Sequence, residues 1–275
     1  MVLQPIRKMP TGIPSLDPIF EGGIPPGSVI LLLGETGAGS NEFVYSSICN
    51  LVNDRTPERE EAARSPVQIR YITFTRMKDD VRREMALSFP AAESAEIMEK
   101  IQFDDLSETY FDNSVVPDTW YTSSDIITRL QKGSDHAGVL AQLAGVLDVS
   151  PPGSLVIVDS VTDIATQCST MDLWKNLTSL LRGLQRMAKQ RDLTAYLLLT
   201  RGILEDVQEH EIADIVDAVL LFRWEESAGS RRQRVMFFEK FRGVMPHLEE
   251  RDLVKFAVRI STGGGFEVSN IRVVI

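Results

Sequence analysis

Short apolar runs alternating with helical segments constrain this chain more than any other feature of it. SVILLL at Ser28–Leu33 stops at Gly34, VQIRYITF spans Val67–Phe74, and Ile101–Leu106 is a third short run. LVIV at Leu155–Val158 stops at Asp159, and AYLLL spans Ala195–Leu199. The wholly apolar SVILLL suits a central strand covered on both faces, as in parallel sheets, and LVIV reads as another buried strand. Between them, Asn41–Val52, Asp79–Phe89, Ala137–Leu147 and Leu173–Lys189 read as helices. This rhythm predicts right-handed crossovers in a mostly parallel α/β sheet. After residue 217 the pattern changes: Ala218–Trp224, Arg234–Phe241, Leu253–Ile260 and Phe266–Val274 are joined by short turn-rich links. Antiparallel strands are expected to extend the sheet there, the first pair as a hairpin turning at Gly229.

A length of 275 residues, 43% of them hydrophobic, suits one large domain, expected over 1–275 with an N-terminal lead at 1–10. No internal repeat interrupts it. Asn53–Pro66 reads as a surface loop. Ser107–Gly133 is polar with scattered aromatics and reads as the longest irregular segment, of a length that is usually functional. The formal charge of −10 opposes a general affinity for nucleic acid or anionic membrane. No apolar run reaches the ~20 residues of a membrane-spanning helix, so no membrane insertion is expected. Cys49 and Cys168, far apart in sequence, fit a reducing cytoplasm. His136, His210 and His247 lack metal-site spacing. The basic cluster Arg231, Arg232 and Arg234 is expected to pair with Glu225 and Glu226 across the hairpin.

The segment LLLGETGAGSNEFV, Leu31–Val44, places a glycine-rich turn between a strand and a helix, where backbone N–H groups cradle phosphate. Gly34, Gly37 and Gly39 stand where the pattern GxxxxGK[ST] wants glycines, and Glu35, Thr36 and Ala38 complete the turn. The lysine position holds Ser40 and the hydroxyl position Asn41. A lysine on the β and γ phosphates makes charge-assisted contacts of ~1.5–3 kcal/mol each, so its loss costs roughly 10- to 100-fold in affinity. Asn41 offers an amide oxygen as a weak magnesium ligand. Glu35 and Glu42 add negative charge beside a site for anions.

TGIPSLD at Thr11–Asp17, followed by EGGIPPGS at Glu21–Ser28, resembles the lead into the nucleotide site of the RecA/KaiC superfamily of P-loop proteins. LVIVDS resembles that family's second phosphate-site strand, which makes Asp159 the implied magnesium-side carboxylate. LLLTR at Leu197–Arg201 resembles the next strand, with Thr200 at its sensor position. FEKFRG and the closing FAVRISTGGGFEV resemble the family's KxRG ending, so Lys240 and Arg242 inherit a candidate role at a neighbouring subunit's nucleotide. Members usually carry a catalytic glutamate just after the second strand, where this chain has Phe74-Thr75-Arg76, with Thr75 at the expected position. The resemblance covers residue 10 to the end and is weakest over Ser107–Gly133. It implies a RecA-like P-loop fold with C-terminal antiparallel strands, a homo-oligomer (ring or dimer) and, by analogy with archaeal relatives in signalling and motility complexes, a protein partner.

Three parts of the phosphoryl-transfer apparatus are thus altered. The first reading is a non-catalytic regulatory or scaffold protein, a pseudo-ATPase, whose binding of ATP and Mg is weak or absent. The second is a slow ring ATPase in which Arg76, or Lys240 and Arg242 from a neighbour, supply the missing charge. A recombinase-like DNA filament fits the acidic chain less well.

Overall fold

The computed structural model describes residues 8–53, 65–88, 91–112, 114–121, 138–227, 231–262 and 264–270. The expected hairpin turn at Gly229, His136 and most of the 53–66 loop lie outside the described residues.

The strands are β1 (Val29–Gly34), β2 (Ile69–Thr73), β3 (Gln102–Asp105), β4 (Leu155–Asp159), β5 (Thr194–Thr200), β6 (Ala218–Ser227), β7 (Arg231–Phe241), β8 (Lys255–Ser261) and β9 (Gly265–Asn270). They form one nine-stranded sheet in the order β3-β2-β4-β5-β1-β6-β7-β8-β9. The first six in that order pair in parallel. The remaining three are added antiparallel, so the expected extension is present.

The described helices are α1 (Ser40–Val52), α2 (Lys78–Ser88), α3 (Ala91–Lys100), α4 (Ser107–Phe111), α5 (Val139–Asp148), α6 (Val161–Thr166), α7 (Met171–Arg191), α8 (Asp206–Ile215) and α9 (Met245–Glu250). Five of them, α3, α4, α6, α8 and α9, go beyond the sequence expectation. Two are set by their caps. The Ser160 hydroxyl accepts from the Asp163 N–H while the Asp163 carboxylate accepts from the Ser160 N–H, a reciprocal box that opens α6. A second box, Glu205 with Gln208, opens α8. The link between β7 and β8 holds α9 where only a turn was expected. The described part of 107–133 is also less irregular than expected, since it holds α4 and a 3-10 turn at Asp118–Trp120.

Successive side chains in a strand point to opposite faces, and here both faces are apolar. β1 sends Ile30 and Leu32 into a core shared with Phe43 and Ile48 of α1 and Met85 of α2. It sends Val29, Leu31 and Leu33 into a second core with Leu143 of α5, Leu177 and Leu181 of α7, and Ile212 of α8. The TGIPSLD segment lies against α1 and keeps its shape through Asp17, whose carboxylate accepts from both the N–H and the hydroxyl of Thr11 at 2.6 Å. Among the described residues no helix is long and apolar enough to cross a membrane.

One buried carboxylate ties the centre of the sheet to its cover. Asp217 accepts from the Val29 N–H at 3.0 Å with one oxygen, and from Gln185 (3.1 Å) and Lys189 (2.8 Å) of α7 with the other. Asp217→Ala is expected to cost roughly 2–4 kcal/mol, because it strands a buried N–H and breaks a charge-assisted network. Asp217→Asn, which keeps an acceptor for Val29, should cost less. Urea denaturation of both variants checks the order.

Candidate functional site

Parallel strands carry their ligands at their carboxyl ends, and the ends of β1, β2, β4 and β5 converge here. The turn after β1 has the backbone of a phosphate cradle. Gly37 and Gly39 take the left-handed values φ 73° and 114°, and a Cβ on Gly34 would stand 2.7 Å from the Ser40 Oγ. The first helical bond of α1 runs from the Phe43 N–H to the Gly39 carbonyl. The N–H groups of Ser40, Asn41 and Glu42 therefore open the helix without intrahelical partners, at the positive end of its dipole.

Strands β6 and β7 clasp this turn. The Glu35 N–H donates to the Phe222 carbonyl at 2.9 Å, and the Glu35 carboxylate accepts from the Trp224 N–H at 2.9 Å. The Trp224 indole N–H donates to the Thr36 carbonyl at 3.2 Å, and the Arg234 Nε to the Gly37 carbonyl at 2.9 Å. Arg232 and Arg234 both stack on the Trp224 ring, 4.3 and 4.4 Å from its centroid. The expected pairing of this basic cluster with Glu225 and Glu226 needs correction. Register does set Glu226 opposite Arg232, but Glu225 pairs with Arg223 and Lys255. Trp224 offers the arginines a flat π face that a solvated carboxylate does not.

Across the cleft, Asp159 ends β4. Its Oδ2 accepts from the Tyr71 hydroxyl at 2.5 Å and from the Arg76 Nη1 at 2.8 Å. The other Arg76 Nη donates to Glu84 of α2, which also accepts from the Tyr45 hydroxyl at 2.7 Å. Burial, reinforced by the Asp159 charge, pushes the Tyr71 phenol well above its ordinary range, so it stays a neutral donor. Burial also raises the Asp163 carboxyl, moderated by its bonds from Ser160. Ser40, Asn41, Thr75, Arg76, Asp159 and Thr200 all line one cleft of about 340 Å³. An adjoining cleft of about 390 Å³ runs along the glycine turn.

The structure thus brings Gly34–Asn41, Thr75, Asp159 and Thr200 together. It places Lys240 and Arg242 elsewhere. The Lys240 ammonium donates to the carbonyls of Ala213 and Asp214, both at 2.8 Å, and Arg242 donates to the Asp214 carbonyl at 2.7 Å. Both cations thus cap the C-terminus of α8, where positive charge opposes the dipole. Sequence reasoning did not single out Tyr45, Tyr71, Glu84 or Trp224, and it gave Arg234 no part in the turn. Each acts through a partner far away in the chain, and local spacing carries no signal for that.

The clasp predicts an order of stabilities. Trp224→Ala removes a hydrogen bond to the turn and the surface on which two guanidinium groups stack, and should cost about 1–3 kcal/mol. Arg232→Ala, on the exposed side of the ring, should cost less than about 1 kcal/mol. Urea titration of the two variants separates them, and equal losses would count against the clasp.

The family model described as "ATPase: KaiC" matches residues 9–254. A UPF0273 protein of Aeropyrum pernix is 37% identical over 78 residues, which is 28% of this chain and 31% of that protein, so the match spans about a third of the relative's length. The crystal structure of a KaiC-like protein from the hyperthermophilic archaeon Pyrococcus horikoshii OT3 superposes over 96% of this chain and 100% of that one, with a TM-score of 0.60. At 20% identity that likeness is one of fold. The family match over residues 9–254 includes the glycine turn, Asp159 and the hairpin strands, and on it the chain belongs to the KaiC-type ATPase family.

Proposed function

We propose that this chain is a pseudo-ATPase of its family, a cytoplasmic regulatory or scaffold protein that keeps the fold and an assembly surface while its cleft no longer cleaves ATP. One observation carries the reading: the head of α1 offers Ser40 where the triphosphate needs an ammonium group, in a cleft rich in carboxylates. Glu35, Glu42, Glu84, Asp159 and Asp163 line the two clefts, and Arg76 is the one basic residue among their described lining.

The backbone of the turn fits a phosphate, but the side chains do not fit magnesium triphosphate. Phosphoryl transfer depends on positioned cations and a group that orients the attacking nucleophile. Ser40 brings no charge, Thr75 no carboxylate, and the magnesium-side Asp159 already pairs with Arg76. Arg201 and Arg234 lie close to the turn, yet Arg201 faces Glu35 at 3.9 Å and Arg234 is bonded to the Gly37 carbonyl. A role for Lys240 and Arg242 at a neighbour's nucleotide would require their bonds to α8 to open. Self-association as a ring or dimer and a protein partner belong to this proposal, as functions that need no hydrolysis.

Calorimetry on the wild-type protein with Mg-ATP is expected to show no saturable binding at micromolar nucleotide, and no turnover. A dissociation constant of about 10 µM, some −7 kcal/mol, would overturn the reading. The double substitution Ser40→Lys with Asn41→Thr should tighten ATP binding roughly 10- to 100-fold, because the cradle's backbone is already in place. A folded double variant that stays inert would show that the cradle itself is unfit.

A further inference from the structure

Arg76 follows the position where the family's catalytic carboxylate is expected, and its charge is committed within the chain. Its backbone N–H donates to the Thr73 hydroxyl at 3.1 Å, which holds the turn after β2. Its guanidinium bridges two carboxylates from different elements, Asp159 at the end of β4 and Glu84 on α2. Tyr71 donates to the Asp159 oxygen that receives Arg76, and Tyr45 to the Glu84 oxygen that receives Arg76. The Asp159 side chain is 8% exposed and that of Arg76 20%. A carboxylate so far removed from water needs a cation, and a planar fork is well shaped to serve two carboxylates at once.

We propose that Arg76 is a resident cation that holds the metal's place at Asp159, so that whatever this cleft binds is bound without a divalent ion. The proposal rests on the reading of the cleft as non-catalytic and adds the device that keeps it so. A divalent ion approaching Asp159 would meet a fixed positive charge. It would have to displace a guanidinium held at both ends, in a space where magnesium demands its own octahedron of oxygens and waters. Without Arg76, the same two carboxylates would face each other across the space of a guanidinium, with two phenol hydroxyls still bound to them. Their mutual repulsion would then favour uptake of a cation.

Mn²⁺ alone, followed through the paramagnetic resonance signal of the free ion, tests this on the full chain. Wild type should leave the signal at its buffer intensity. Arg76→Ala should take up one Mn²⁺ per chain at least about tenfold more tightly, the scale of one charge-assisted contact. Asp159→Asn in the Arg76→Ala background should abolish that uptake. Should the alanine variant fail to fold, Arg76→Gln keeps the length and an amide donor, and the same comparison applies. Stoichiometric Mn²⁺ uptake by wild type that Asp159→Asn removes would overturn the proposal, as would a folded Arg76 variant that gains none. The underlying reading fails separately: ATP that binds wild type equally with magnesium and with chelator ends the claim of weak nucleotide binding and leaves the resident cation standing.

Discussion

The central strands β1, β4 and β5, buried on both faces, leave the middle of this sheet little room for charge except at the strand ends. The two cores divide strand residues by alternation, Ile30 and Leu32 to one side and Val29, Leu31 and Leu33 to the other. Polar side chains that end a strand therefore gather at the carboxyl edge, where Thr73, Asp159 and Thr200 close β2, β4 and β5 beside the glycine turn that follows β1. The cleft is a consequence of that burial. The Asp217 carboxylate, which does enter the interior, is tied to the β1 backbone and to α7.

Charge balance at this edge follows from geometry more than from net composition. A phosphate cradle ordinarily meets its ligand with a lysine and a metal, both of which compensate acidic neighbours when nucleotide is bound. In this chain the compensation is internal. Arg76 answers Asp159 and Glu84, and Arg201 and Trp224 answer Glu35. Lys240 and Arg242 answer the carbonyl end of α8. Of these carboxylates Asp159 is the buried one, at 8% exposure, and its pairing with Arg76 is the one that offsets burial.

The end of the sheet from β6 to β9 has a second role beside lengthening it. Through Trp224 and Arg234 it supplies bonds to the carbonyls of Thr36 and Gly37, and through Ile260 and Phe266 it packs behind Gly39. Protein contacts support the turn from the side opposite its cradle.

Strand positions, the order of parallel before antiparallel segments, the glycine turn and the missing lysine were all legible in the sequence. Each is a local property: apolar runs mark strands buried on both faces, and Gly37 and Gly39 mark left-handed backbone. Asp159 and Thr200 were legible because they sit where apolar strands stop. The short helices α6 and α8 escaped: they have only six and ten residues, too few to show a clear helical period, although Ser160 and Asp163 do stand at capping-box spacing. Arg76 was visible as a stray cation, but its partners Asp159 and Glu84 lie 83 and 8 residues away. Only the tertiary structure could decide that this charge pairs with Asp159 and Glu84 and that Lys240 and Arg242 cap a helix, because a cation's role depends on which anion or carbonyl the fold sets within its reach.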